Sequence, residues 1–235
     1  MFFASNSICA VVGRVAPVLV MVMLGANPAW ALSSTEESQP IRVEADFEST
    51  GWLGEYVELL EDPTGNLSFS EVRAYSDFVT QTQSFLTLGF SESAYWLRMQ
   101  VECEATPPET LLLELDFGFI DYVDFYILDG QRVLSTIKTG DQFAFNQRPL
   151  PARAFMASFD CITGTSRTIY IRVQSTESLI VPLKLWRESV YREKNSTEQV
   201  FFGLVFGVVG FILFFNLSLF WVTRQKDFGL YFIYL

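Results

Sequence analysis

The chain has 235 residues, half of them hydrophobic, and its formal net charge is −11 with no histidine. The lack of histidine excludes Ser-His-Asp triads, HExxH zinc sites and imidazole pH switches, and three cysteines are too few for a four-cysteine zinc site. The acidic balance disfavours nucleic acid, whose binding needs Lys and Arg to neutralise phosphates. We therefore predict a protein that is not an enzyme and that has no metal, no cofactor and no nucleic-acid partner.

The first 31 residues have the layout of a secretory signal peptide. Arg14 precedes an apolar stretch from Val15 to Leu24, and Ala29 and Ala31 are the small residues that a cut before Leu32 requires. The stretch is short for a membrane span, and the alternative is an uncleaved signal anchor. We predict that residues 1–31 are removed and that the following domain is exported to the periplasm.

Residues 32–195 have the pattern of one β-rich domain. Ser68 and Glu71 form a capping box, which predicts a short helix through Tyr75. Turn residues separate the other segments, and short strands at this spacing are typical of an all-β sandwich or jelly roll. The predicted strands are Tyr56–Glu61, Ser84–Phe90, Tyr95–Glu102, Thr110–Asp116, Tyr122–Leu128, Val133–Thr139, Arg153–Phe159, Thr168–Gln174 and Ile180–Leu185.

The exported segment is strongly acidic. Between Leu32 and Gln199 there are 26 acidic and 13 basic residues, which gives a net charge of −13. Such a surface favours neutral or cationic ligands and is repelled by anionic lipid headgroups.

Two cysteines remain after removal of the signal peptide, Cys103 and Cys161. An even number of cysteines in an oxidising compartment predicts a disulfide. Two free buried thiols are the alternative.

The alternation of side chains along the strands predicts an apolar face and a second face that mixes rings, arginines and carboxylates. If the strands belong to one sheet, the second face is a platform on which a sugar ring can stack while charged groups bind its hydroxyls. The alternative is that these side chains form cross-strand pairs that only stabilise the sheet. The candidate ligand-binding residues are Trp96, Arg98, Glu114, Asp116, Tyr122, Asp124, Tyr126, Tyr170 and Arg172.

An uncharged run of 23 residues, Val200–Val222, is long enough to cross a membrane. A second capping box at 196–199 predicts a first transmembrane helix over residues 196–223, in contact with membrane lipid, followed by a cytoplasmic turn at 224–227. Residues 228–235 have the composition of the start of a second transmembrane helix, cut short by the end of the chain, or of a short interfacial tail rich in aromatic residues.

Small and polar residues mark one part of this helix. Gly203, Gly207 and Gly210 allow close approach of another helix, either in a homodimer or among further membrane helices. We prefer packing against further membrane helices, and we expect the amide of Asn216 to bond to a neighbouring helix.

Several strings carry a resemblance to a known family: Glu61–Gly65, Leu88–Arg98, Gly140–Asp141 with Asn146–Leu150, Ile169–Ser175 and Pro182–Trp186. Together they resemble the type 2 extracellular domain of bacterial seven-transmembrane receptors with diverse intracellular signalling modules (7TMR-DISM). The resemblance implies a jelly-roll, carbohydrate-binding-like domain in the periplasm, anchored in the inner membrane. It also implies that ligand occupancy passes through seven helices to a cytoplasmic module such as a diguanylate cyclase or histidine kinase.

We therefore expect a signal-transduction receptor that binds a small, carbohydrate-like ligand. Two alternatives stay open at the level of sequence. One is a protein-interaction module at the membrane surface. The other is a membrane-tethered glycoside hydrolase that pairs Glu114 or Asp116 with Asp124.

Overall fold

A computed structural model describes residues 38–104, 109–225, 227, 230, 231 and 234. The predicted signal peptide and most of the predicted second membrane helix lie outside the described residues. The described strands are β1 (Ile41–Val43), β2 (Glu58–Asp62), β3 (Val79–Thr80), β4 (Leu86–Phe90), β5 (Ala94–Cys103), β6 (Glu109–Leu115), β7 (Tyr122–Asp129), β8 (Arg132–Thr139), β9 (Phe155–Cys161), β10 (Thr165–Gln174), β11 (Ser178–Val181) and β12 (Leu183–Arg187). The helices are α1 (Phe69–Val72) and α2 (Glu188–Thr223), with short 3-10 turns at Gly54–Tyr56 and Phe145–Gln147.

The strands form two layers. The first sheet has the order β3-β2-β5-β10-β7-β8, and β1 pairs in parallel with the far end of β5. The second layer contains the antiparallel sheet β12-β6-β9 and the pair β11-β4. Pro182 separates β11 from β12, because proline has no N–H to donate to a strand ladder. The predicted strand Ile180–Leu185 is therefore two strands with different partners.

The core lies between the two layers, as the alternation of apolar residues predicts. The first sheet contributes alternate residues such as Leu97, Phe125 and Ile171, and the second layer contributes residues such as Leu113 and Phe155, all fully buried. Burial of alternate side chains from both layers is the defining property of a β-sandwich. The predicted all-β sandwich followed by a long apolar helix is confirmed.

The disulfide of the domain joins its two layers. Cys103 ends β5 in the first sheet, Cys161 ends β9 in the second, and their Cα atoms are 5.4 Å apart. The two residues are 58 positions apart in the chain. A loop of that length, closed in the unfolded state, corresponds to about 4 kcal/mol of stabilisation in the chain-entropy treatment.

Helix α2 begins earlier than the sequence predicts. The capping box at 196–199 lies inside the helix, which begins at Glu188 directly after β12. Glu188 pairs with Arg192 one turn later at 2.6 Å, and Tyr191 packs edge-on against Trp186 of β12. These contacts extend the helix backwards onto the sandwich. Among the described residues, α2 is the one helix long and apolar enough to cross a membrane.

Candidate functional site

The outer face of the first sheet carries seven of the nine residues predicted to bind a ligand. Arg172 of β10 lies opposite Trp96 of β5 and Asp124 of β7, and Tyr170 lies opposite Arg98 and Tyr126. Tyr122 continues this face at the start of β7, opposite Gln174. The alternation of side chains therefore located one shared face correctly for these three strands.

Glu114 and Asp116 do not belong to this face. Glu114 lies in β6 of the second layer and Asp116 follows it, and their neighbours Leu113 and Leu115 point into the core. Asp124 lies beside Val123 and Phe125, which point into the same core from the other layer. Both sheets therefore separate the two carboxylates from Asp124. This corrects the expectation of one platform, and the proposed hydrolase pair fails because its members face opposite sides of the sandwich.

A segment of the chain covers the rings on the first sheet. Residues 63–78, here called the cover segment, connect β2 to β3 and contain α1. Phe69 of α1 stacks on Tyr126 with ring centroids 4.1 Å apart and planes 4° from parallel, and it also stacks near Trp96 at 6.4 Å. Trp96 is consequently 1% exposed and Tyr170 6% exposed. The predicted platform is a second hydrophobic cluster in which Phe69 occupies the place of a stacked ligand.

Hydrogen bonds hold the cover segment in place. The carboxylate of Asp62 accepts hydrogen bonds from the backbone N–H groups of Thr64, Gly65 and Leu67, at 3.1, 3.0 and 2.9 Å. Burial raises the pKa of Asp62, but these hydrogen bonds lower it more, so its pKa is below the usual 3.8. Arg172 donates to the carbonyl of Gly65 at 2.9 Å. The predicted ligand residue Arg172 thus anchors the cover segment.

Arg98 is also committed to internal contacts. Its Nε lies 2.5 Å from the Glu58 carboxylate, and its guanidinium lies 4.3 Å from the centroid of the Phe78 ring. Burial lowers the pKa of Arg98, whereas the hydrogen bond and charge of Glu58 raise it, and the net shift is upward. A ligand would have to displace Glu58 or Phe78 to reach this guanidinium.

Beyond the cover segment, part of the same face stays open to solvent. Asp124 lies opposite Lys138 on one side and Arg172 on the other. Burial raises the pKa of Asp124, and the charges of Lys138 and Arg172 offset part of that rise. The ring of Tyr122 is 45% exposed. We call this surface the open strip, and its members are Tyr122, Asp124, Lys138, Arg172 and Gln174.

A second candidate site lies on the opposite side of the domain. A cavity of about 540 Å³ lies between the outer face of the second layer and the start of α2. Glu114 and Asp116 line it together with Tyr191, Lys194 and Phe202. The indole N–H of Trp186 donates to Glu114 at 2.7 Å. Burial raises the pKa of Glu114 above 4.5, although the charge of Lys194 opposes the rise.

Sequence reasoning identified the two acidic residues of this cavity but not their surroundings. Tyr191 and Lys194 lie in the polar turns before the apolar run, which the prediction left outside the membrane helix. The signal that could have found them is helical spacing from Glu188 onward, since residues three and four apart share a face.

The residues predicted to pack membrane helices lie within α2. A Cβ atom added at Gly203, Gly207 or Gly210 would meet nothing within 4 Å. The amide of Asn216 donates to the carbonyl of Ile212 in its own helix at 2.8 Å. Packing of this face against another helix stays a prediction.

Two solved structures resemble the chain at a low level. One is a family 35 carbohydrate-binding module from Clostridium thermocellum, with 10% identity, 43% of this chain and 82% of that chain covered, and a TM-score of 0.26. The other is a family 6 carbohydrate-binding module, with 12% identity, 64% of this chain and 100% of that chain covered, and a TM-score of 0.29. Similarity at these TM-scores adds nothing to the functional argument, and no curated protein matches the chain.

A family model identifies the domain more directly. The model of the 7TMR-DISM extracellular 2 domain matches residues 54–187, from the 3-10 turn before β2 to the end of β12, and so covers more than half of the chain. The match ends where α2 begins. The chain therefore belongs to the 7TMR-DISM extracellular 2 family.

Proposed function

We propose that this chain is the ligand-sensing part of a bacterial receptor in the inner membrane, with its sandwich in the periplasm. In this proposal a small, carbohydrate-like ligand binds at the open strip. Its occupancy shifts the position of α2, and further membrane helices carry the change to a cytoplasmic signalling module. The family, which consists of receptor sensor domains, and the candidate membrane span support a membrane protein whose domain lies outside the cytoplasm.

The observation that carries the proposal is the short path from the open strip to the membrane helix. Gln174 ends β10, a tight turn leads to β11, and β12 passes directly into α2 at Glu188 without a linker. Asp121, which immediately precedes Tyr122, accepts hydrogen bonds from the backbone N–H and the hydroxyl of Thr176 in that turn, at 2.8 and 3.0 Å. In this proposal, a displacement of the strip passes along this stretch of chain to α2.

The chemistry of the open strip fits a polar ligand with a ring. The exposed face of Tyr122 offers an apolar surface, and its centroid lies 6.2 Å from that of Phe143. Asp124 accepts hydrogen bonds from hydroxyl groups, while Lys138 donates them. An apolar surface with a few polar groups beside it is the usual composition of a small-molecule site.

Binding can move α2 only if the ligand has different affinities for two arrangements of the domain. Arg172 offers such a difference, because the same guanidinium faces the open strip and holds the carbonyl of Gly65 in the cover segment. A ligand that takes up this hydrogen bond competes with the cover segment. The proposal therefore couples ligand binding to release of the turn that contains Gly65.

The test is a thermal-shift screen of the full chain in lipid nanodiscs against sugars, amino acids and cell-wall fragments. A ligand at a hundredfold excess over its Kd raises the apparent stability by about 2.7 kcal/mol. We expect a saccharide to raise the melting temperature, and we expect Tyr122→Ala or Asp124→Asn to weaken its binding about tenfold, which corresponds to one lost contact of about 1.4 kcal/mol.

The matched control is Tyr56→Ala, which removes another exposed ring outside the open strip. It should leave the affinity unchanged. A saccharide whose affinity responds equally to all three substitutions would place the site elsewhere. A broad screen with no hit, together with a protein that copurifies with the folded chain, would favour the protein-interaction alternative.

A further inference from the structure

We propose that the cavity between α2 and the second layer binds the headgroup of a zwitterionic membrane phospholipid that carries a primary amine. In this proposal one acyl chain lies along Phe202 and Phe206. The site is separate from the open strip, so the inference does not depend on the identity of the sensed ligand.

Among the described residues, no cation directly contacts the carboxylates of Glu114 and Asp116, which line the cavity. Glu114 is 3% exposed, and the indole N–H of Trp186 binds it at 2.7 Å. Among the described ion pairs, none includes Glu114 or Asp116. The charges of Lys194 and Lys184 act on Glu114 without forming an ion pair with it. A buried carboxylate without a contacting cation is unfavourable, and a primary ammonium supplies both the contacting charge and the hydrogen-bond donors.

The lining of the cavity also includes two cations that are weakly held. Arg153 and Lys194 both lie near the carboxylate of Glu198, but at 3.6 and 3.9 Å. The side chain of Arg153 is 84% exposed, and the Nζ atom of Lys194 lies 4.6 Å from the centroid of the Trp186 ring. Guanidinium and ammonium groups are the usual ligands of a phosphate group. A phosphate between these two side chains would gain stronger partners than Glu198 alone provides.

The position of the cavity relative to the membrane selects a lipid over a soluble zwitterion. Phe202 and Phe206 line the cavity and lie in the first two turns of the apolar run Val200–Val222. At 1.5 Å per residue, Phe206 lies about 9 Å along the helix from the start of that run. If the run spans the bilayer, the charged walls lie at the level of the headgroups and the two rings lie at the level of the upper acyl chains.

The kinds of group that line the cavity match the three parts of such a lipid. Carboxylates face the amine, Arg153 and Lys194 face the phosphate, and the two phenylalanine rings face the acyl chain. A lipid with an anionic, amine-free headgroup has no positive charge to offer Glu114, and the net charge of −13 on the exported segment repels it. A quaternary ammonium has the charge but no N–H to donate to the carboxylates.

The experiment is native mass spectrometry of the full chain in detergent with added phospholipids of identical acyl chains. The probes are phosphatidylethanolamine, phosphatidylcholine and phosphatidylglycerol. We expect one phosphatidylethanolamine per chain, bound about tenfold more tightly than phosphatidylglycerol. A tenfold difference in affinity is the size expected for one charge-assisted hydrogen bond. Glu114→Gln should remove that preference while it keeps the side-chain volume and an acceptor for Trp186.

Glu102→Gln is the matched control, since Glu102 is a carboxylate on the first sheet that pairs with Arg42 at 3.4 Å. It should retain the lipid preference. Ala152→Leu, which fills part of the cavity, should reduce retention of phosphatidylethanolamine, with the melting temperature as a check of folding. Equal retention of all three lipids, an unchanged preference in Glu114→Gln, or no retained lipid in the unmodified chain would each overturn the proposal.

Discussion

At the scale of single residues, Phe69 and Arg172 decide how the outer face of the first sheet can act. Phe69 stacks on Tyr126 and lies near Trp96, and so fills the position that a stacked sugar would need. Arg172 uses one of its donors on the cover segment. The aromatic residues that are prominent in the sequence are therefore packed against the cover segment in this arrangement, which is why the proposed ligand site is the less aromatic edge of the same face.

Glu114 permits a prediction about pH. Burial raises the pKa of Glu114 in the folded state above the unfolded value of 4.5. The charges of Lys194 and Lys184 lower this pKa, and the charge of Asp116 raises it. The folded state therefore holds the Glu114 proton more tightly than the unfolded state. The stability that this residue contributes is present below pH 4.5 and is lost as the pH rises through the folded pKa.

We expect Glu114→Gln to raise the melting temperature of the chain at pH 8 and to raise it less at pH 4. Gln keeps an acceptor for the Trp186 indole, so the hydrogen bond does not confound the comparison. Thermal unfolding followed by tryptophan fluorescence measures the difference at each pH, in nanodiscs of phosphatidylcholine so that no lipid amine N–H can bind Glu114. Glu102→Gln serves as the control, and a melting temperature that falls equally at both pH values would contradict the assignment.

At the scale of elements, the cover segment is the least expected part of the domain. Its first turn requires Gly65 in the left-handed region, with φ at 66°, and a Cβ atom there would lie 3.0 Å from the side chain of Gln174. Helix α1 follows, with the Ser68–Glu71 capping box that the sequence predicts. The segment is thus held by one turn that requires glycine, one capping box and the stacked ring of Phe69.

Gly65→Ala should destabilise the domain by about 1–2 kcal/mol, because alanine is strained at positive φ and its methyl group crowds Gln174. Gly51→Ala is the matched control, since a Cβ atom at Gly51 would meet nothing within 4 Å. It should change stability by less than about 0.5 kcal/mol. Urea unfolding of both variants measures the effect, and equal midpoints for the two variants would show that the turn does not need glycine.

At the scale of the whole molecule, the connection between the sandwich and the membrane helix is the main finding. Strand β12 pairs with β6 over its full length, and Trp186 and Arg187 at its end lie directly before α2. Arg187 also contacts Glu109 of β6 at 2.6 Å. A paired strand therefore passes directly into the candidate membrane helix, with no linker between them.

The topology of the chain can be tested with reporter fusions. We expect alkaline phosphatase fused after residue 195 to be active, because the predicted signal peptide would export that point to an oxidising compartment. Green fluorescent protein fused after residue 225 should fluoresce, because Arg224 follows the apolar run on the predicted cytoplasmic side. Deletion of residues 1–31 should abolish the phosphatase activity. An inactive phosphatase fusion in the complete chain would reverse the predicted orientation.

The sequence predicts some features of the structure correctly and misses others. Alternation identified nearly every strand and the inward residues such as Leu97 and Ile171, because the side-chain period of a strand depends only on local backbone geometry. The same local logic predicted the capping box of α1. It missed β1 and β3, which are three and two residues long and too short for a periodic signal. It also placed the start of α2 at a second capping box, because nothing local revealed the contacts of Tyr191 with the sandwich.

From the residues alone, the strand pattern, the cysteine pair and the apolar run specified an exported β domain followed by a membrane helix. The residues could not specify that β6 belongs to a different layer from β7, so Glu114 and Asp124 were grouped together. Nor could they specify that Phe69 covers Trp96. A strand face of mixed aromatic and polar residues has the same sequence pattern whether it contacts solvent, a ligand or another part of the chain. Both features depend on contacts between segments distant in sequence, and only the folded arrangement of the two layers determines which segments meet.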